Sequence, residues 1–357
     1  MKFLKEFKRT IEKMSTVHVG LMRAQSWLST GNYALNRALS GDFKKGIPLG
    51  RISLWAGPSG SGKSFISSNI MTHAQRDGFH VLILDSENAL DLDYLRKIGV
   101  KTDEEHLTYT QVTTIEDVNR VCSEFFSGYV KEFGKDNPNA QKVLIVLDSL
   151  AMLSSSTEME NYAKDGTIKA DQGILAERRK SMLRMITGQI ARVPIAFVMT
   201  DHVYPQDIMM GDGAWAITNS TKFSASIIGI VTKLKLKEEG EVVGVRMRFE
   251  TYKSRFAKLG TKIELEVPYN SGMSPFSGLV ELLADMGVIA KGTQPGEKLM
   301  YVTEVDGEKI AFKEKDINQQ IVDKLLRHPL ALATKEAEEP EDNILELLEA
   351  VQDTEEN

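Results

Sequence analysis

The sequence predicts an α/β protein with a mostly parallel sheet and an antiparallel extension. A short helical segment stands at the N-terminal end, and a small α+β module stands near the C-terminal end. Three observations predict this. Apolar runs of strand length alternate with helix-length stretches from residue 51 onward, a glycine-rich phosphate loop closes the first run, and after residue 225 the texture changes to alternating strands joined by short polar turns.

Taken in chain order, residues 2–14 set Phe3, Leu4, Phe7, Ile11 and Met14 at helical spacing with lysines between them. A helix this short is not stable alone, so its apolar face needs its own core or a neighbouring subunit to dock on. ISLWAG (52–57), VLILDSE (81–87), VLIVLD (143–148) and IAFVMTD (195–201) read as buried parallel strands, with crossover helices over 63–77 and 174–190. Ligands of such sheets sit at the carboxyl ends of the strands. SIIGIVTKLKL, VGVRMRFETYK and TKIELEVPY supply the antiparallel extension. The terminal module reads as a helix over 276–286, a hairpin around Asp306–Gly307 and a helix over 314–327.

With 357 residues, the chain is long enough for one large α/β domain and a smaller one. No run of 18 apolar residues appears, so no bilayer-spanning helix is expected. A single cysteine, Cys122, excludes a disulfide framework and a cysteine-based zinc site, and fits a reducing cytoplasm. The formal charge of −6 conceals an asymmetry. Residues 336–357 hold ten acids and no Lys or Arg, so the preceding 335 residues carry a net +4. A mildly basic body with an acidic tail suits controlled contact with nucleic acid, and a solubilising tail has the same composition.

Gly57-Pro58-Ser59-Gly60-Ser61-Gly62-Lys63-Ser64 matches the P-loop pattern in full. Glycines let backbone N–H groups turn toward phosphate oxygens, and the helix that follows presents its positive end. Lys63 is expected to reach the β and γ phosphates of ATP, and Ser64 to offer its hydroxyl to Mg²⁺. Phe65 completes the nucleotide-binding set. Asp148, at the end of a neighbouring strand, is the expected second Mg²⁺ contact. Glu87 ends another strand; its carboxylate can orient the attacking water, or it can be a solvated strand-end acid.

Several segments together resemble the bacterial RecA recombinase family: residues 29–52 (STGNYALNRALSGDFKKGIPLGRI), 85–100 (DSENALDLDYLRKIGV), 144–153 (LIVLDSLAML) and 275–289 (PFSGLVELLADMGVI). Asp201-His202 and Lys253-Ser254-Arg255 are more similar to the phage branch of that family, the UvsX recombinases. The resemblance runs from about residue 25 to 330. It implies a DNA-dependent ATPase that forms helical filaments on single-stranded DNA and exchanges strands with duplex, in recombination, repair and replication. Mediator and single-strand-binding proteins are implied partners, with action in the cytoplasm (of a bacterial host, for the phage branch). The implied organisation is an N-terminal oligomerisation segment (1–28), a RecA-like ATPase core (29–272), a small module (273–330) and a flexible acidic tail (331–357).

The resemblance also implies roles. Glu87 matches the catalytic glutamate, Tyr94 the aromatic that stacks on adenine, and Asp91 a neighbour that touches the base. His202 matches the γ-phosphate sensor, where the bacterial branch has glutamine. Lys253 and Arg255 match the basic pair that reaches the ATP of the adjacent subunit. The first DNA loop is expected within 156–173, followed by Arg178, Arg179 and Lys180 on the next helix. The second is expected over about 203–221, where Met209, Met210 and Trp215 are candidates to wedge between bases. The remaining readings are another RecA-fold DNA motor or a mediator that does not exchange strands. A small-molecule kinase would need an arginine-rich lid, and a nucleotide-switched interaction protein would lack Glu87 and the basic pair.

Overall fold

The computed structural model describes residues 2–12, 26–166, 172–203, 217, 219–238, 241–268, 272–293 and 300–333. In chain order, helix α1 (Lys2–Glu12) comes first, then β1 (Trp27–Leu28), α2 (Tyr33–Ser40) and β2 (Ile47–Pro48). The sheet region follows with β3 (Ile52–Gly57), α3 (Lys63–Arg76), β4 (His80–Asp85), α4 (Leu92–Lys97), β5 (Leu107–Gln111), α5 (Ile115–Phe133) and β6 (Val143–Asp148). It continues through α6 (Ser156–Asp165), α7 (Gln172–Ile190), β7 (Ile195–His202), α8 (Asn219–Ser224), β8 (Ile227–Glu238), β9 (Glu241–Ser254) and β10 (Lys262–Pro268). The terminal module holds α9 (Leu279–Asp285), β11 (Ala290–Lys291), β12 (Tyr301–Val305), β13 (Glu308–Phe312), α10 (Gln319–Leu325) and α11 (Pro329–Leu332).

The main sheet has eight strands in the order β10-β9-β8-β3-β7-β6-β4-β5. From β8 to β5 neighbours are parallel, while β9 and β10 extend the sheet antiparallel. Period-two alternation of buried strands sends side chains to two separate cores. Trp55, Val81, Ile83, Leu144, Val146 and Val198 face α2 and α3, and that layer runs on into the terminal module through Leu279, Leu283 and Phe312. Ile52, Leu54, Ile145, Leu147 and Phe197 face the opposite layer, where α5 and α7 contribute Cys122, Phe126, Leu183 and Ile186. Among the described residues no helix is long and apolar enough to cross a membrane.

Asn32 joins the start of the core to the module. Its Oδ1 accepts the Leu35 N–H at 2.8 Å as the cap of α2, while its Nδ2 donates to the carbonyls of Ser274 and Ser277 at 3.0 Å. Tyr33 stacks on Phe276 beside it, with centroids 6.0 Å apart.

Two expectations shift. The strand expected to reach Glu87 ends at Asp85, whose carboxylate accepts the N–H groups of Glu87, Asn88 and Leu90 and turns the chain. The helix expected over 314–327 is a 3₁₀ turn at Glu314–Asp316 followed by α10, because Asn318 caps a fresh helix through the Ile321 N–H. Within 156–173, where the first DNA loop is expected, α6 occupies the start, held by a capping box between Ser155 and Glu158. Residues 167–171, most of the second expected loop and the acidic tail lie outside the described residues.

Candidate nucleotide site and its surroundings

The loop from Gly57 to Ser64 joins β3 to α3, and its geometry requires glycine at defined points. Gly60 and Gly62 have φ of +68° and +103°, a region that side-chain-bearing residues rarely adopt. A Cβ on Gly57 would meet the Val231 carbonyl oxygen at 2.2 Å, and one on Gly62 would meet Met247 Sδ at 2.2 Å. The first turn of α3 has no acidic residue and no side-chain cap, so no side chain of the chain takes the first N–H groups that an anion could use. Ser61 Oγ is buried without a hydrogen-bond partner. Lys63 folds over the loop and donates to the carbonyls of Gly57 (3.0 Å) and Pro58 (2.9 Å). Burial lowers the Lys63 ammonium below its usual range, against the pull of Glu87, Asp148 and Asp201.

Four parallel strands end beside this loop and bring the distant acids to it. Ser64 hydrogen-bonds Asp148, so the two expected Mg²⁺ contacts are neighbours, and Thr200 also donates to Asp148. Burial pushes the Asp148 carboxyl upward, opposed by those two donors and reinforced by the charges of Glu87 and Asp85. The donor set, a serine hydroxyl and a carboxylate beside a lysine at a phosphate loop, fits a magnesium nucleotide.

Glu87 Oε1 accepts from Ser149 Oγ at 2.7 Å and pairs with His202 Nε2 at 2.8 Å. Burial acts to raise the Glu87 carboxyl. The two hydrogen bonds and the charges of His202 and Lys63 outweigh it and hold the group below its ordinary value. A carboxylate kept ionised beside the phosphate loop is able to accept a hydrogen bond from water. Next to His202, Asp201 is buried and pushed up to about 6.

Other expected residues fall elsewhere. Phe65 is half-buried against the first core. Tyr94 is exposed on α4, and Asp91 caps that helix by accepting the Tyr94 N–H at 2.9 Å. Lys253 and Arg255 stand at the amino end of the parallel strands. Lys253 pairs in register with Ile228, Ser53 with Ile227, and the charge of Arg255 acts on Arg51, just before β3. Ser53 to Gly57 along β3 separates that end from the phosphate loop by about 13 Å at roughly 3.3 Å per residue. Lys253 Nζ donates to the Lys222 carbonyl.

The basic trio on α7 divides. Lys180 is exposed. Arg178 pairs with Glu116 and donates to Thr157 Oγ1 at 3.1 Å, while Arg179 turns inward to the carbonyls of Ala151 and Leu153, both at 3.0 Å. Met209, Met210 and Trp215 lie outside the described residues. Sequence reasoning missed Ser149, Thr200 and Asp201 as parts of the site. Their position at the ends of β6 and β7, within two residues of Asp148 or His202, was the available signal.

A phosphate loop between the first sheet strand and its helix, faced by acids from the ends of neighbouring parallel strands, defines a P-loop nucleotide-binding protein. The chain belongs to the RecA family: residues 2–274 match the RecA N-terminal domain. It is 28% identical over 323 residues to Protein RecA of Cutibacterium acnes, covering 88% of this chain and 85% of that protein. It is 29% identical over 287 residues to Protein RecA of Nitratidesulfovibrio vulgaris (79% and 74% covered), and 29% identical over 267 residues to that of Dichelobacter nodosus (74% and 71%).

Proposed function

We propose that this protein is an ATP-dependent DNA recombinase that assembles into filaments on single-stranded DNA and exchanges strands with homologous duplex. The observation that supports it most is the meeting of Glu87, Ser149 and His202 at the phosphate loop of a chain in the RecA family. Gly57–Ser64, with Phe65, Asp91 and Tyr94, would hold ATP, and Ser64 and Asp148 would hold Mg²⁺. When bound there, Mg²⁺ would supply charge neutralisation at the phosphates. Lys63 would leave the Gly57 and Pro58 carbonyls and turn its ammonium to the β and γ phosphates. Glu87, held ionised by Ser149 and His202, would orient and deprotonate the attacking water. His202 would report the state of that site to the second DNA loop.

The position of Lys253 and Arg255 at the far end of the strands supports a site completed by a neighbouring subunit, which supplies both cations in trans. The exposed stripe Phe3, Leu4 and Phe7 on α1 supports the same assembly, since it needs a partner surface. DNA contacts in this reading come from Lys180 and from the loop carrying Met209, Met210 and Trp215, with Arg178 and Arg179 shaping the surface around them. Mediator and single-strand-binding proteins would act on the filament in the cytoplasm. Asp201-His202 and the Lys253/Arg255 pair support a place in the phage branch.

The test is strand exchange between circular single strands and homologous linear duplex with ATP. Joint molecules that depend on ATP and on homology are expected. DNA-independent hydrolysis with no joint molecules would refute the proposal.

A further inference from the structure

Arg179 is a half-buried guanidinium on α7. Its Nη2 donates to the carbonyls of Ala151 and Leu153, at 3.0 Å each, and its Nε is buried without a hydrogen-bond partner. A charge withdrawn from water in this way is costly, and an apolar side chain of similar length would pack there more cheaply unless the charge acts on something. The acids whose charge acts on it are Asp201 first and Glu158 second.

Both sides of this arrangement lead to Glu87. The carbonyls belong to the turn after Asp148, which begins at Ser149, the donor to Glu87 Oε1 at 2.7 Å. Asp201 precedes His202, the other partner of Glu87 Oε1, and accepts the His202 backbone N–H at 3.0 Å. We propose that Arg179 is a positioning residue for ATP hydrolysis, holding from α7 the turn that presents Ser149 to Glu87 and acting by its charge on Asp201, next to the His202 that pairs with Glu87.

Neighbouring residues extend the connection outward. Arg178 ties α7 to Glu116 at the start of α5 and to Thr157 on α6, and Glu116 also accepts the Ser156 N–H at 3.0 Å. Lys180 is exposed beside them. A displacement of α7 by bound DNA therefore passes through Arg179 to both supports of Glu87. Arg179 then couples DNA to hydrolysis without touching a phosphate. This rests on the proposed role of Glu87.

The experiment measures ATPase kcat and KM at saturating single-stranded DNA for Arg179→Met and Arg179→Lys, with Glu87→Gln as a control. Affinity for single-stranded DNA is measured in parallel over a salt series with a non-hydrolysable ATP analogue. Arg179→Met is expected to lower kcat about 10- to 100-fold with KM within about twofold, the pattern of lost positioning. DNA affinity and its salt slope should match the parent. Arg179→Lys keeps a cation near Asp201 and should recover a large part of the rate.

Parental kcat in Arg179→Met overturns the inference. So does weaker DNA binding with a shallower salt slope and normal kcat, which would make Arg179 a phosphate contact. Equal losses in the Met and Lys variants would reduce its role to packing. Should Arg179→Met fail to fold, Arg179→Lys and Asp201→Asn decide: near-parental kcat in the first with a loss in the second supports the inference, and any other pairing overturns it. A parental chain without DNA-stimulated hydrolysis, or an active Glu87→Gln, would instead refute the functional reading itself.

Discussion

Replacing Asp201 with Asn should make the nucleotide-free protein more stable, by an amount that depends on pH. Asp201 is 6% exposed, and burial raises its carboxyl from 3.8 to about 6. A folded-state value above the unfolded one means that the folded protein holds the proton more tightly. The folded state is thus favoured while the group is neutral, and that advantage is lost as pH rises through about 6. At pH 7.5 the ionised, buried carboxylate costs about 3 kcal/mol, and at pH 4.5 about 1 kcal/mol remains, with ~1.36 kcal/mol per pKa unit. Asparagine has the same shape, cannot ionise and keeps an oxygen for the His202 N–H. The assay is urea unfolding at both pH values, followed by the fluorescence of fully buried Trp55. The Asn variant should gain about 3 kcal/mol at pH 7.5 and about 1 kcal/mol at pH 4.5. No gain at pH 7.5, or an equal gain at both, would refute the reasoning. A gain in stability accompanied by slower hydrolysis would mean that the buried charge is kept for function at a cost in stability.

Glu87→Gln keeps the side-chain shape and removes the base, so ATP-bound filaments should persist while turnover falls about 10²–10⁴-fold; DNA-stimulated hydrolysis at the parental rate would contradict the assignment. Arg255→Ala should lose DNA-stimulated hydrolysis while still binding nucleotide, and mixing it with Lys63→Ala subunits should restore some activity at the junctions. No recovery at any ratio, with co-assembly demonstrated, would argue against a site shared between subunits. Removing residues 336–357 takes ten negative charges from a body of net +4, and should tighten duplex binding most at low salt and steepen its salt dependence. A salt titration of duplex affinity checks this, and superimposable curves would leave the tail as a solubiliser or a docking segment.

Four parallel strands, the antiparallel extension, the phosphate loop and the acids at the strand ends were legible in the sequence; the short edge strand β5 was not. These are local signals: continuous apolar runs make buried parallel strands, and the loop pattern needs its glycines, lysine and serine at fixed offsets. The strands at 52–57 and 143–148 and the helix that opens at Lys63 stand where periodicity put them. Local signals also misled, at 314–327, where Asn318 starts a new helix.

Which side chains meet follows from the packing of distant segments. Glu87 lies 62 positions from Ser149 and 115 from His202, and the strand order β7-β6-β4 brings them together. Whether Arg178, Arg179 and Lys180 face solvent depends on what α7 packs against. Three consecutive helical residues point about 100° apart, so one remains outside while two find acceptors on α5, α6 and the turn after Asp148. The separation of Lys253 and Arg255 from their own phosphate loop likewise follows from β9 running antiparallel to β8, a pairing between distant segments that no local pattern encodes.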